Sequence, residues 1–248
     1  MSIRAVKRVT QSRPTLEGAG VRLRRAFGFG DTSDFDPFLM MDDFRGDAPS
    51  DYMAGFPWHP HRGIETITYV LAGAVAHGDS LGNHGVLGAG DVQWMTAGRG
   101  ILHQEMPKGD KLGRMHGFQL WANLPANLKM TAPRYQDVPS LAIPEIVDDD
   151  GTRVRVICGD FWGKAGPVDG VAADPRYLDV FVPAASARPC RWRPTARLSP
   201  IYSRAQARSQ APLRPSARCA RPWSAAKKSS CAIPSEIARS WCSIRATK

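Results

Sequence analysis

Short runs of apolar and β-branched residues, separated by glycine-containing turns, dominate the first 186 residues of the chain. Runs of strand length lie at residues 64–71, 92–95, 101–106, 117–124, 153–158 and 177–182. In the run 117–124, Phe118, Leu120 and Ala122 fall on alternate positions and therefore face the same side of a strand. Strands this short and this closely spaced, with few helical stretches between them, predict an all-β sandwich or barrel.

The pattern changes near residue 187. The segment 187–248 has no glycine, no aspartate and no apolar run of strand length. Tight β turns depend on glycine, so this segment is not predicted to continue the β domain. Two alternatives stay open: a disordered basic tail, or out-of-frame translation of a GC-rich gene. We favour the second alternative, and reading the gene in its other two frames beyond codon 186 tests it.

The net charge of +10 is distributed unevenly along the chain. The segment 187–248 carries 11 Arg and 3 Lys against one acid, a net charge of +13, whereas residues 1–186 carry a net charge of −3. The main body therefore lacks the basic character of a nucleic-acid-binding domain, and no specific nucleic-acid partner is predicted. No stretch approaches the roughly 18 apolar residues of a membrane helix, and the N-terminus lacks the apolar core of a secretory signal. We expect a cytoplasmic protein that does not bind membranes.

Two pairs of candidate ligands suggest a metal site. His59 and His61 are two residues apart, so they lie on the same face of an extended strand. His103 and Glu105 repeat this spacing 42 residues after the last histidine of the first pair, a separation that leaves room for two or three strands. One His-x-His pair alone is more typical of a solvated strand face, but the second pair, His103 and Glu105, shifts the balance to a metal site. Three imidazoles and one carboxylate suit Fe, Mn, Cu, Ni or Zn.

Longer motifs around these residues resemble the pirin family. They are DPFLMMDDFRG at 36–46, HPHRGIETITYVLAG at 59–73, GDVQWMTAGRGILHQEMP at 90–107 and HGFQLWANLP at 116–125. The resemblance implies two tandem cupin barrels, each a double-stranded β-helix or jelly roll, with one metal ion in the first. It implies that His59, His61, His103 and Glu105 bind this ion, with Fe(II) as the expected metal. Thr66 stands where the common cupin pattern has a glutamate, and Glu105 supplies the carboxylate instead.

The resemblance also suggests a domain division and two functions. We expect an intact metal-binding cupin at 1–125, a linker and the start of an incomplete second cupin at 126–186, and the basic tail at 187–248. Pirin relatives include quercetin 2,3-dioxygenases, which implies a flavonol-like aromatic substrate and a role for Glu105 as catalytic base. The alternative is an iron-dependent, redox-sensing regulator that binds a transcription factor or a metabolic enzyme. Both functions need the same four ligands, so the sequence does not separate them.

Overall fold

The structure is a computed structural model that describes residues 8–183 in full and the backbone of residues 197–204 and 238–245. Its helices are one turn of α-helix and four 3₁₀ turns: α1 at Thr32–Phe35, and 3₁₀ turns at Phe29–Asp31, Pro49–Asp51, Ala126–Leu128 and Ser140–Ala142. The rest of the regular structure is β: β1 Arg13–Glu17, β2 Val21–Phe27, β3 Phe38–Asp43, β4 Phe56–His61, β5 Ile64–Ala72, β6 Ala74–Asp79, β7 His84–Leu87, β8 Val92–Thr96, β9 Ile101–Lys108, β10 His116–Asn123, β11 Arg134–Val138, β12 Glu145–Val147, β13 Arg153–Cys158, β14 Asp160–Phe161, β15 Lys164–Ala165, β16 Arg176–Val182, β17 Arg197–Arg204 and β18 Ala238–Arg245.

The first barrel is formed by two antiparallel sheets that face each other. The larger has the order β1-β2-β3-β10-β5-β8-β11, and the smaller has the order β4-β9-β6-β7. Leu23 and Val70 of the larger sheet pack inside the barrel with Val75 and Leu87 of the smaller one. This arrangement is the predicted jelly-roll architecture, and it closes one end of the barrel with apolar side chains.

The outer face of the seven-stranded sheet supports the rest of the molecule. Phe118, Leu120 and Ala122, predicted to share one face of a strand, are all at most 1% exposed and lie in the largest apolar cluster. The same cluster includes Ile157 and Tyr177 from the sheet β12-β13-β16-β18-β17. The two units therefore share a core, and the large sheet forms its floor.

The predicted strands agree well with those observed. The runs at 64–71 and 101–106 become β5 and β9, and the runs at 153–158 and 177–182 become β13 and β16. The strand β11 falls within the predicted linker, where it pairs with β8 and extends the first sheet beyond residue 125. The domain boundaries otherwise stay a prediction.

The tail departs from the sequence-based expectation in two places. Sequence analysis predicts no strand between residues 187 and 248, yet the backbone of β18 pairs with β16, and that of β17 pairs with β18. The reason is that β16 would otherwise present an open edge of unpaired N–H and C=O groups, which any extended segment satisfies. The rest of 187–248 lies outside the described residues, and the origin of this segment stays a prediction.

Candidate metal centre

Two neighbouring strands of the small sheet position the candidate ligands. β4 and β9 are antiparallel, and His59 lies directly opposite His103. Burial along β9 alternates strictly, so that His103 and Glu105 point into the barrel while Leu102 and Met106 point out. After His61 the chain turns at Gly63, whose φ of 68° is a left-handed conformation that favours glycine. The four predicted ligands thus share the inner face of one sheet.

The three imidazoles converge on one point. Nε2 of His59 lies 3.1 Å from Nε2 of His61 and 2.9 Å from Nε2 of His103. Imidazole nitrogens bind transition metals at about 2.0–2.1 Å, so two of them at right angles around one ion are about 2.8–3.0 Å apart. The observed spacing is therefore that of neighbouring ligands, and His59, His61 and His103 form a group able to hold a metal ion.

The protonation state of the histidines suits the same role. Nδ1 of His59 lies 2.8 Å from the carbonyl oxygen of Pro57, so this nitrogen donates a hydrogen bond and Nε2 keeps its lone pair. Burial, together with the neighbouring imidazoles, lowers the pKa of His61 and of His103 to about 3. Both side chains are neutral near pH 7, which is the form that binds metals.

Glu105 lies on the same face but outside the group of three. Its Oε1 is 3.0 Å from the hydroxyl of Thr68 on β5, and its carboxylate does not join the cluster of imidazole nitrogens. Burial raises the pKa of Glu105. The structure thus brings together the three predicted histidine ligands and places Glu105 beside them in the same cavity. Its assignment as a fourth ligand, and as a base, stays a prediction.

A cavity of about 730 Å³ opens over this centre. Its wall is largely apolar and aromatic, and Trp121 meets the ring of His61 edge-on with the ring centroids 5.0 Å apart. One side carries a buried ion pair, in which Arg25 donates two hydrogen bonds of 2.8 Å to Asp42. A cavity of this size and composition accommodates a planar aromatic ligand with a few polar groups.

The remaining histidines are not members of the group of three. His77 is buried on β6 opposite Glu105, and its Nε2 lies 2.8 Å from the side-chain nitrogen of Gln93. His84 is exposed. His116 is buried, with its Nε2 3.6 Å from Asp43. None of the three belongs to the metal-binding group found among the described residues.

Some residues of the site were not predicted from the sequence. Thr68 contacts Glu105, and Gln119 and Trp121 line the cavity on β10. The available signal was weak: polar residues at inward positions of otherwise apolar strands. Glu65, also on β5, is 3% exposed. It lies in register with Thr96 and accepts a hydrogen bond of 2.8 Å from that hydroxyl, on the face of β5 opposite to Thr68.

Comparison with known proteins adds an evolutionary context. The family model described as Pirin matches residues 20–122. A pirin-like protein of Caulobacter vibrioides is 52% identical over 185 residues, which cover 74% of this chain and 67% of that protein. The chain spans about half to two thirds of the length of the curated relatives it matches.

Solved structures show the same fold. The crystal structure of quercetin 2,3-dioxygenase from Acinetobacter baumannii superposes with a TM-score of 0.63 at 30% identity, over 77% of this chain and 64% of that one. The bacterial pirin YhhW of Escherichia coli, in complex with nickel(II), superposes with a TM-score of 0.56 at 25% identity, over 78% of each chain. Among the described residues of this chain, no helix is long and apolar enough to cross a membrane.

Proposed function

Because this chain belongs to the pirin family and three of its imidazoles converge beneath an aromatic cavity, we propose that it is a metal-dependent dioxygenase. The proposed reaction opens the ring of a flavonol such as quercetin with O₂. The observation that carries the proposal is the spacing of 2.9 and 3.1 Å between Nε2 of His59 and Nε2 of its two partners. Support also comes from the quercetin 2,3-dioxygenase among the structural relatives.

The residues present divide into those that hold the metal and those that hold the substrate. His59, His61, His103 and Glu105 would bind one ion, with Fe(II) as the proposed metal and Mn, Cu, Ni or Zn as alternatives. When bound, the ion supplies Lewis acidity that polarises and orients a substrate oxygen. Trp121 and the apolar wall accept the aromatic rings and exclude water.

Glu105 has a second proposed role as general base. Its Oε1 is taken by Thr68, so Oε2 is the atom that would receive the proton of a substrate hydroxyl once it has left the metal. Burial raises the pKa of Glu105. Its carboxylate therefore binds a proton more tightly than an exposed carboxylate does, which makes it a better base for a phenolic hydroxyl. Glu105→Gln is therefore expected to retain part of the metal and to lose turnover.

The test measures metal content and oxygen uptake on quercetin in the same samples of the full chain. About one metal ion per chain is expected in the wild type, lost in the double variant His59→Ala/His103→Ala together with oxygen uptake. His84→Ala, which changes an exposed histidine away from the cluster, is the matched control and should keep both. Soluble wild-type protein without metal would contradict the proposed dioxygenase function. Full turnover in Glu105→Gln would contradict the role of Glu105 as the base.

A regulatory function is the second candidate. The observation that favours it is the outer face of β9, where Leu102 and Met106 are 48% and 37% exposed on either side of the inward-pointing His103 and Glu105. A protein partner on this face would contact the strand that holds the metal. Metal without oxygen uptake in the same experiment would favour this function over the dioxygenase.

A further inference from the structure

The inner face of the seven-stranded sheet carries one continuous row of polar residues. Register partners on six successive strands form this row: Arg25, Asp42, Gln119, Thr68, Gln93 and Asp137. The first four line the cavity. The next inward row along the same strands is largely apolar, with Met40, Trp121 and Met95 around Thr66. A single polar line across a barrel interior is costly to bury unless its members bond one another.

Thr68 stands in the middle of the row and is its link to the metal centre. Its hydroxyl lies 3.0 Å from Oε1 of Glu105 and 2.6 Å from Oε1 of Gln119. A hydroxyl has one proton, so it donates to only one of these two oxygens at a time. When the proton goes to the Glu105 carboxylate, Gln119 completes the chain by turning its amide so that an N–H donates to Thr68.

This chain of bonds restrains one oxygen of Glu105 and leaves the other available. Oε2 accepts no hydrogen bond from the part of the chain that the structure describes, while Oε1 is held by Thr68. Metal-binding carboxylates are commonly fixed in this way by a hydrogen bond to the oxygen that does not bind the ion. The three histidines need no such restraint, because their backbone is fixed by the pairing of β4 with β9.

We propose that Thr68 and Gln119 are positioning residues for Glu105, which orient its carboxylate so that Oε2 faces the ion held by the three imidazoles. The inference rests on the proposed metal site but not on the identity of the substrate. Thr68 acts through its hydroxyl alone, and Gln119 acts by fixing the direction of that hydroxyl. Neither needs to touch the metal or the substrate.

The experiment measures the affinity of the metal-free full chain for Co²⁺ by calorimetric titration, together with the visible absorption of bound Co²⁺. Thr68→Val keeps the shape of the side chain and removes the hydroxyl, and should raise Kd about 10- to 100-fold. Its Co²⁺ spectrum should change, because the carboxylate is no longer held in place. Thr68→Ser should restore both the affinity and the spectrum, and Gln119→Leu should shift both in the same direction as Thr68→Val.

Thr66→Val is the matched control, because Thr66 lies two residues away on the same strand and face and is equally buried, at 2% exposed. It should lose stability as Thr68→Val does, without a change in Kd or spectrum. If Thr68→Val binds Co²⁺ as tightly as the wild type or more tightly, the inference is overturned and the proposed function is not. An equal loss of Co²⁺ affinity in Thr66→Val would have the same consequence. Wild-type protein that binds no metal would overturn the inference and the proposed function together. Metal binding without oxygen uptake would contradict only the proposed dioxygenase function.

Discussion

The two faces of the seven-stranded sheet are built from the same strands, but one carries an apolar core and the other a row of polar side chains. Ile67, Trp94 and Phe118 point outward and are fully buried in an apolar core shared with the second unit. Their neighbours Thr68, Gln93 and Gln119 point inward and form part of the polar row beside the metal centre.

The difference shows how one strand supplies residues that stabilise the fold and, at alternate positions, residues that line the ligand cavity. Side chains on alternate positions face opposite sides, so each strand supplies one set of residues to the core and another to the cavity. Substitutions on the outer face should therefore alter the free energy of unfolding, and substitutions in the polar row of the inner face should alter ligand binding. Adjacent residues such as Phe118 and Gln119 offer a direct test of this division.

The largest effect is expected from Phe118→Ala. Phe118 is 0% exposed and lies between the large sheet and the second unit. Removing a buried phenylalanine costs about 3–5 kcal/mol of unfolding free energy through lost burial and the remaining cavity. Chemical denaturation measures this loss, and Co²⁺ titration of the folded variant should give a wild-type Kd.

Gln119→Leu is the comparison for Phe118→Ala on the same strand. Its free energy of unfolding should change little, because it exchanges a half-buried polar side chain for an apolar one of similar size. Its Co²⁺ affinity should fall. The separation of the two faces would be refuted if Phe118→Ala weakened metal binding as much as Gln119→Leu does.

A smaller effect is expected from the hydroxyl of Tyr69, a polar group within the apolar cluster of the outer face. The hydroxyl of Tyr69 donates a hydrogen bond of 3.0 Å to Asp179 and accepts one of 2.5 Å from Arg155. Tyr69→Phe removes this link between the two units and leaves two charged partners with one bond fewer. We expect a loss of about 1–2 kcal/mol in denaturant unfolding.

Tyr135→Phe is the comparison on the other face of the same sheet, since Tyr135 lies in register with Met95 on the inner face and its ring stacks on that of His77. If Tyr69→Phe unfolds at the same denaturant concentration as the wild type, the outer face is held by apolar packing alone. Tyr69→Phe should leave the inner face unaffected, so its metal affinity again serves as the second measurement.

The sequence predicted which residues share a face of one strand, but not which residues meet across neighbouring strands. The spacing within the pairs His59/His61 and His103/Glu105 was sufficient to put the members of each pair on one face, because residues two apart on a strand share a face whatever the rest of the fold does. The alternation in 117–124 was likewise sufficient to put Phe118 on one face with Leu120 and Ala122. These predictions depend only on the geometry within one strand.

Thr68 and Gln119 were not predicted because their roles depend on register between strands. They are 51 residues apart in sequence and become neighbours only when β5 pairs with β10. Nothing in the run IETITYVL separates Thr68 from Thr66, although only the first approaches Glu105. The strands β17 and β18 were missed for a related reason, since an exposed sheet edge accepts segments whose own sequence gives no strand signal.

The smallest effect concerns Glu65, the acid on the outer side of β5. Burial raises its pKa above the ordinary value of 4.5, although the hydrogen bond from Thr96 opposes this. The folded state therefore binds this proton more tightly than the unfolded chain does. The stability that Glu65 contributes is complete below about pH 4.5 and is lost as the pH rises through the higher folded value. Glu65→Gln keeps an oxygen for Thr96 and should be more stable than the wild type at pH 8, because it carries no charge to bury.

Denaturant unfolding between pH 4 and 8 measures the Glu65 effect, with Glu145→Gln on β12 as the exposed control. The stability of the wild type should fall relative to that of Glu65→Gln as the pH rises, whereas Glu145→Gln should follow the wild type. Parallel curves for the wild type and Glu65→Gln would mean that the carboxylate is as well accommodated as the acid. In that case the outer face would tolerate a charge at its edge. The difference in polarity between the outer face and the polar inner row would then hold only at the centre of the sheet.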